Sequence, residues 1–387
     1  MPKKLRIAID ISSAARPDRS GVGIYTVKLV EALAEQMGSS AHITAHYYNF
    51  LGQQSIAQLP RSPNIEYKVS RLIPEKLINL VRRVGLNIPF EILTKTRADI
   101  HLFSSYLVHP SLFKTPTLCV IHDLAYIDLP DTVSPKNRQD LISFVPWSIK
   151  YSKSIITISE FTKNRLVEHY NVKPEIVSIV FPGIDHGHFY PRPNAEIEAI
   201  RKQFKLPTDY ILFTGNLEPR KNILGMLEAY EQLDASLRDK YALVLAGSRG
   251  WLDQTIQNEI KRQQEAGVRI VQLGYVDSAQ LPALYSGATL FVFPSLYEGF
   301  GIPLLEAMAC GTPAIAGNNS SQLEVVGDAA MLVNSESSQD IAKKIGQVLA
   351  DKALSKSMAT KGLDQAKKFN WQISAMRLSK IFSKTSL

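Results

Sequence analysis

Glu298 and Glu306 stand eight residues apart on either side of Gly299, Phe300, Gly301 and Ile302. A carboxylate accepts hydrogen bonds from paired hydroxyls, and the amides of Gly299, Phe300 and Gly301 supply donors to a sugar or a phosphate. An apolar strand is expected over 289–293, just before this loop, and Pro303 occupies a typical first helical position. Glu306, in the first turn of that helix, then points into a crevice mouth and can accept both vicinal hydroxyls of a ribose. Glu298, in the loop, can accept the hydroxyls of a second sugar. Compensation of a helix dipole also places an acid in a first turn; it accounts for Glu306 but not for Glu298 or the glycines.

Three further segments carry chemistry. Gly215 closes an apolar strand and is followed by Arg220 and Lys221, just before a helix expected from Ile223. Free amides, the helix dipole and two cations together make a diphosphate site, although an Arg-Lys pair is also common on a solvated surface. His122 and Asp123 close the strand expected over 117–122. His122 can donate to a sugar hydroxyl or steady charge at a reacting carbon, with Asp123 orienting it; a hydrogen-bonded structural pair is the competing reading. Gly21 and Gly23 follow the first strand and open a helix running to about Met37. They allow close backbone approach to an anion, or form a plain glycine turn. His109, His186 and His188 read as loop residues.

Two successive α/β series position these segments. Strands are expected over 5–11, 42–50, 65–69, 100–103, 117–122, 155–159 and 177–181, then over 210–214, 243–246, 269–273, 289–293 and 313–316. Several are apolar on both faces, as parallel strands covered by helices are. Pro182, Pro191, Pro193 and Pro207 punctuate the stretch between the series around a helix over 195–204. The fold class is therefore α/β, with two doubly wound domains. In open parallel sheets, ligands sit beyond the carboxyl ends of strands, which is where all four segments fall.

Composition narrows the function classes. The chain has 387 residues, 45% hydrophobic and 21% charged, the balance of an ordinary globular protein of more than one domain. No run approaches the roughly 18 apolar residues of a spanning helix, and Arg6 and Asp10 interrupt the first apolar run as an export signal would not allow. Cys119 and Cys310 are too few for a disulfide framework or metal site, so a reduced, cytoplasmic home is expected. The net charge is +8: residues 1–190 hold 22 basic against 16 acidic residues, and the remainder holds 22 against 20. The excess serves solubility, or attracts a sugar nucleotide or an anionic lipid surface carrying the acceptor. Scattered basic residues without an aromatic-basic cluster exclude a nucleic-acid face.

The stretch from Glu298 to Glu306 resembles the E-x7-E signature of retaining glycosyltransferases of the GT-B fold, specifically family GT4 (glycosyl transferases group 1). Ser20-Gly21-Val22-Gly23-Ile24-Tyr25, His122-Asp123, Ser159-Glu160-Phe161-Thr162-Lys163, Gly183-Ile184-Asp185, Gly215 to Asn222 and Gly274-Tyr275 also look like that family, in the right order over essentially the whole chain. The sequence most resembles the branch of bacterial O-antigen and capsule mannosyltransferases.

The resemblance implies two Rossmann-like doubly wound domains facing across a cleft. The acceptor domain spans 1–185, joined by a final helix over 372–387 that packs back on it, and the donor domain spans 186–371. By analogy Arg220 and Lys221 hold the diphosphate, Glu306 the ribose and Glu298 the transferred sugar. Gly21 and Gly23 approach the phosphates, and His122 lies near the anomeric carbon. Gly215, Gly299, Phe300, Gly301 and Ile302 complete the donor-binding loops. Gly274-Tyr275-Val276 and Gly247-Ser248-Arg249 sit where the base and its neighbouring phosphate lie. The implied reaction transfers a hexose, mannose favoured, to a growing glycan or lipid-linked acceptor. The implied donor is a nucleotide-diphosphate sugar, GDP-mannose ahead of a UDP-sugar.

No D-x-D occurs in the chain, so no divalent metal or other cofactor is expected, and the two cations take the place of one. Residues 70–93, with Lys76, Arg82 and Arg83 among apolar positions, suit either an interfacial helix on anionic membrane at the inner face of the plasma membrane or a surface element over the acceptor cleft. A sugar-nucleotide epimerase, a phosphorylase or a catalytically inactive sugar-nucleotide-binding protein shares such a fold. The incomplete glycine fingerprint, with Thr26 in the third glycine place, argues against a nicotinamide dehydrogenase.

Overall fold

A computed structural model describes residues 4–15, 21–50, 59–71, 77–78, 82 and 87–385. The chain forms two compact units. The first comprises Met1–Leu124, Lys136–Gly183 and Trp371–Leu387; the second comprises Ala125–Pro135 and Ile184–Asn370. The short piece Ala125–Pro135 thus groups with the later α/β series although the earlier one flanks it in sequence. Trp251 Nε1 donates to the carbonyl of Thr132 within that second unit (2.6 Å).

The first unit holds β1 (Leu5–Asp10), β2 (Ala41–Tyr48), β3 (Ile65–Ser70), β4 (Ile100–Phe103), β5 (Thr117–Ile121), β6 (Ser154–Thr157) and β7 (Val177–Ile179). They form one sheet in the order β3-β2-β1-β4-β5-β6-β7, and every neighbouring pair is parallel. The second unit holds β8 (Tyr210–Thr214), β9 (Ala242–Ala246), β10 (Ile270–Gly274), β11 (Leu290–Phe293), β12 (Ala314–Gly317) and β13 (Met331–Val333). Its sheet runs β10-β9-β8-β11-β12-β13, again parallel throughout. Both orders reverse direction after their first strand, between β1 and β4 and between β8 and β11. At that reversal the flanking connections leave to opposite faces and open a crevice.

Apolar residues on both faces make these strands central. β5, β8, β9 and β11 are buried at every position, because helices cover both sides of each sheet. β13 is absent from the strands expected above, because three residues with only Val333 fully buried carry too little pattern. The strand expected over 155–159 stops at Thr157. Ser159 instead caps the helix Glu160–Tyr170, its hydroxyl accepting from the Thr162 amide at 3.0 Å. The helix Trp371–Thr385 belongs to the first unit. Trp371 meets Tyr25 edge-on at 5.7 Å, and Ser374 Oγ donates to the Phe181 carbonyl at 2.6 Å.

Of the segment 70–93, residues 72–76, 79–81 and 83–86, Lys76 and Arg83 among them, lie outside the described residues. Arg82 does not face an anionic surface. It is buried, with Nη2 3.2 Å from the His109 ring and its guanidinium over the rings of Phe144 and Trp147. Among the described residues no helix is long and apolar enough to cross a membrane.

Candidate active site

In the second unit, the loops after β8, β9, β11, β12 and β13 build one polar cluster. β8 ends at Thr214, and Gly215 follows with φ +134°, a conformation that favours glycine. Gly247 follows β9 beside it, and a Cβ there would lie 1.9 Å from the Gly215 carbonyl oxygen. Only glycine allows these two loops to approach so closely. Pro219–Lys221 then forms a single 3₁₀ turn, and Asn222 takes left-handed backbone before the helix Ile223–Glu231. Arg220 and Lys221 therefore sit in a tight turn ahead of the helix. The Asn222 side chain donates to the carbonyls of Pro294 (3.2 Å) and Ser335 (2.5 Å), tying the turn to the loops after β11 and β13.

The loop after β11 carries Glu298 over the same place. Leu296 N donates to the Arg220 carbonyl at 2.9 Å, fixing the two loops against each other. Lys221 Nζ donates to Glu298 Oε1 at 2.6 Å, and Arg220 Nη1 donates to Glu298 Oε2 at 3.3 Å and to the Tyr297 carbonyl at 2.9 Å. Arg220 Nη2 donates to Glu218 Oε1 at 3.0 Å. Burial pushes the Glu298 carboxyl up, but Lys221 and Arg220 outweigh it and hold the group below the ordinary glutamate range. For Glu218 burial wins over the same cations, and its carboxyl is raised. Two carboxylates and two cations thus meet at the reversal of the second sheet, balanced near neutrality.

The polar loop after β12 holds Glu298 in place. Ser320 Oγ accepts from the Glu298 amide at 3.0 Å, and Ser321 Oγ donates to the carbonyls of Glu298 (2.8 Å) and Phe300 (3.1 Å). The Glu298 amide is therefore committed within the protein. Gly299 and Phe300 are buried, the Phe300 ring meeting Phe369 at 5.6 Å. Gly301 has φ +104° and caps the helix Ile302–Ala309, with Ile302 half-buried at its start.

Two expectations on this helix need correction. Pro303 is its second residue, and Glu306 is its fifth, one turn inside rather than in the first turn. There Glu306 is half-buried, and Tyr285 Oη donates to its Oε2 at 2.7 Å. Burial raises its carboxyl to about 7, against the opposing pull of the Tyr285 hydrogen bond. Gly274 ends β10 with φ +69°; after it Tyr275 is 76% exposed, and Val276 is buried, so Val276 can offer a ligand only its backbone.

The first unit carries the remaining candidates. His122 follows β5, half-buried, its Nε2 donating to the Ser104 carbonyl at 2.9 Å and its ring edge-on to Tyr25 at 5.1 Å. Burial lowers its pKa and outweighs the Ser104 carbonyl and Asp123, so the ring is neutral with Nδ1 as its acceptor. The Nε2 proton is not free for a sugar hydroxyl. Asp123 beside it is half-buried. Gly21 opens the helix Gly21–Met37 with open space where a Cβ would stand, while Gly23 is buried; Ser20 lies outside the described residues.

With this geometry in place, the comparisons are specific. Residues 19–188 match the family described as Glycosyltransferase Family 4, and residues 196–365 match that described as Glycosyl transferases group 1. The O-antigen chain mannosyltransferase B of Escherichia coli is 32% identical over 364 residues, 91% of this chain and 93% of that protein. The chain belongs to glycosyltransferase family 4. The O-antigen chain mannosyltransferase RfbU of Salmonella typhimurium is 27% identical over 87% of this chain and 91% of its own length. Anabaena Alr3699/HepE, solved in complex with UDP and glucose, superposes with a TM-score of 0.75 at 17% identity, covering 98% of this chain and 100% of that one. The glycosyltransferase thus has the GT-B fold of two parallel-sheet α/β units.

Arg220 and Lys221 lie in one segment of the sequence and Glu298 in another; the structure joins them in one ion-paired group. Glu218, Tyr285, Ser320 and Ser321 are not among the residues expected from the sequence. The Asn318-Asn319-Ser320-Ser321-Gln322 run after β12 is the signal that marks the last two, a polar stretch at a strand's carboxyl end.

Proposed function

We propose that this glycosyltransferase moves a mannosyl residue from a nucleotide-diphosphate sugar, GDP-mannose, to a hydroxyl of a growing O-antigen-type glycan, with retention of anomeric configuration. One observation carries the reading: Arg220, Lys221 and Glu298 converge at the reversal point of the second parallel sheet. The names of the relatives support the mannosyl group and the glycan acceptor. The departing diphosphate needs charge stabilisation more than a proton. Arg220 and Lys221 supply it from a turn that holds them in place before the ligand arrives, so little reorganisation is left for the reaction. Glu298 accepts the hydroxyls of the transferred sugar. With both oxygens hydrogen-bonded to cations it is a poor nucleophile, which favours attack by the acceptor on the face the diphosphate leaves. Glu306 accepts the ribose hydroxyls.

Transfer requires no divalent ion in this scheme, since the two cations meet the diphosphate charge. The positive net charge and the free, buried Cys119 and Cys310 suit a cytoplasmic enzyme peripheral to anionic membrane. The test is a transfer assay with GDP-mannose, UDP-glucose and ADP-glucose on a mannan oligosaccharide, with the new linkage read by NMR. An α-mannosyl product from GDP-mannose alone is expected. A β-linked product overturns retention, and preferred transfer from another donor overturns the mannosyl reading.

A further inference from the structure

Thr214, Tyr285 and Glu306 come from three separate elements, β8, the helix Leu281–Ser286 and the helix Ile302–Ala309, and their side chains form one chain of hydrogen bonds. Thr214 Oγ1 lies 2.6 Å from Tyr285 Oη, which lies 2.7 Å from Glu306 Oε2. Tyr285 is completely buried, with its ring against Phe291 (5.4 Å) and Phe189 (6.3 Å) and its own carbonyl accepting from Thr312 Oγ1 at 2.7 Å. Nothing in its packing needs a hydroxyl, since Phe fills the same volume. A phenol placed there must have its oxygen satisfied, and it is satisfied by a carboxylate on one side and a threonine on the other.

We propose that Tyr285 is a positioning residue: its hydroxyl fixes one oxygen of Glu306 and leaves the other to accept the ribose hydroxyls of the donor. The proposal rests on the reading of Glu306 as the ribose acceptor. An ionised carboxylate only accepts, so Tyr285 donates to Glu306 and Thr214 donates to Tyr285, giving the chain one direction. Protonation of Glu306 lets that order reverse and removes an acceptor from the ribose site. Burial brings the carboxyl to about 7 while the phenol, itself driven far up by burial and by Glu306, stays protonated. The other titratable neighbour is Cys310, just beyond the same helix, a thiol pushed up to about 12 by burial and by Glu306; Arg192 acts on Cys310. Donor affinity therefore rises as pH rises through about 7.

The experiment measures affinity for GDP-mannose and UDP-glucose by calorimetry from pH 5.5 to 9, using whichever the wild-type protein binds; their diphosphates do not titrate in that range. Wild type should gain affinity across the range, and Glu306→Gln should bind weakly with no such rise. Tyr285→Phe loses the hydrogen bond that favours the ionised carboxylate, so its midpoint moves to higher pH; a shift of about one unit lowers binding about tenfold at the acid end of the range and about fivefold at pH 7. Thr214→Val should shift the midpoint in the same direction by less, and it serves if Tyr285→Phe unfolds. Unchanged midpoints in both variants, or an equal loss at every pH, overturn the positioning role. Wild-type affinity in Glu306→Gln overturns the ribose reading beneath it.

Discussion

Glu298→Gln separates charge from shape at the centre of the site. Lys221 Nζ lies 2.6 Å from Glu298 Oε1, and Arg220 Nη1 lies 3.3 Å from Oε2. A diphosphate oxygen taking the same ammonium at about 2.8 Å stands about 5 Å from that carboxylate. At an effective dielectric near 20, two unit charges at about 5 Å repel by roughly 3 kcal/mol, an upper bound that relaxation and partial exposure reduce. Glutamine keeps the shape and removes the repulsion, so nucleoside-diphosphate binding should tighten, by roughly tenfold, equivalent to about 1.4 kcal/mol. Turnover should move the other way. In the proposed scheme the lost carboxylate accepts hydroxyls of the reacting sugar, and a hydrogen bond to a charged group is worth about 1.5–3 kcal/mol, roughly a 10–100-fold fall in kcat. Calorimetry with GDP and transfer kinetics on the same preparations read both numbers. A variant that binds the diphosphate more weakly, or that transfers at the wild-type rate, refutes the division between cations for the leaving group and Glu298 for the sugar.

Arg220→Ala and Lys221→Ala should each weaken donor binding by about 1.5–3 kcal/mol and slow turnover; wild-type values in both would remove the diphosphate assignment. Transfer should proceed in excess EDTA, and complete loss restored by manganese or magnesium would contradict the metal-free scheme. In the first unit, burial lowers His46 to about 4 and drives His109 well below 6.5, and burial also lowers His101 beside Glu91. Such groups take up protons on unfolding, so stability is present above about 6.5 and lost as pH falls toward 4. The loss is on the order of 3 kcal/mol for His46 alone. Thermal unfolding should show that decline, with a flatter profile in His46→Gln; a pH-independent melting temperature would count against it.

The alternation of apolar strands with helical stretches made both parallel sheets legible, because strands buried on two faces leave continuous apolar runs such as Leu290-Phe291-Val292-Phe293. Glycines and prolines at strand ends marked the loops for a similar local reason: Gly215 and Gly301 adopt backbone that side chains disfavour. The identities of Arg220, Lys221, Glu298 and Glu306 were readable as residue types after strands. Their mutual contacts were not, since Lys221 and Glu298 are 77 positions apart and meet only when β8 and β11 become neighbours. Burial was equally invisible. His109 reads as a loop histidine, yet it is buried with Arg82 beside it and Tyr48 2.9 Å from its ring. Nothing in the sequence around Tyr285 marks it out, yet its hydroxyl holds Glu306. Local pattern is written in neighbouring residues, so the sequence alone determines which segments become strands, helices and turns. Ionisation, hydrogen-bond direction and the joining of distant loops depend on what lies across space, and only the tertiary structure decides them.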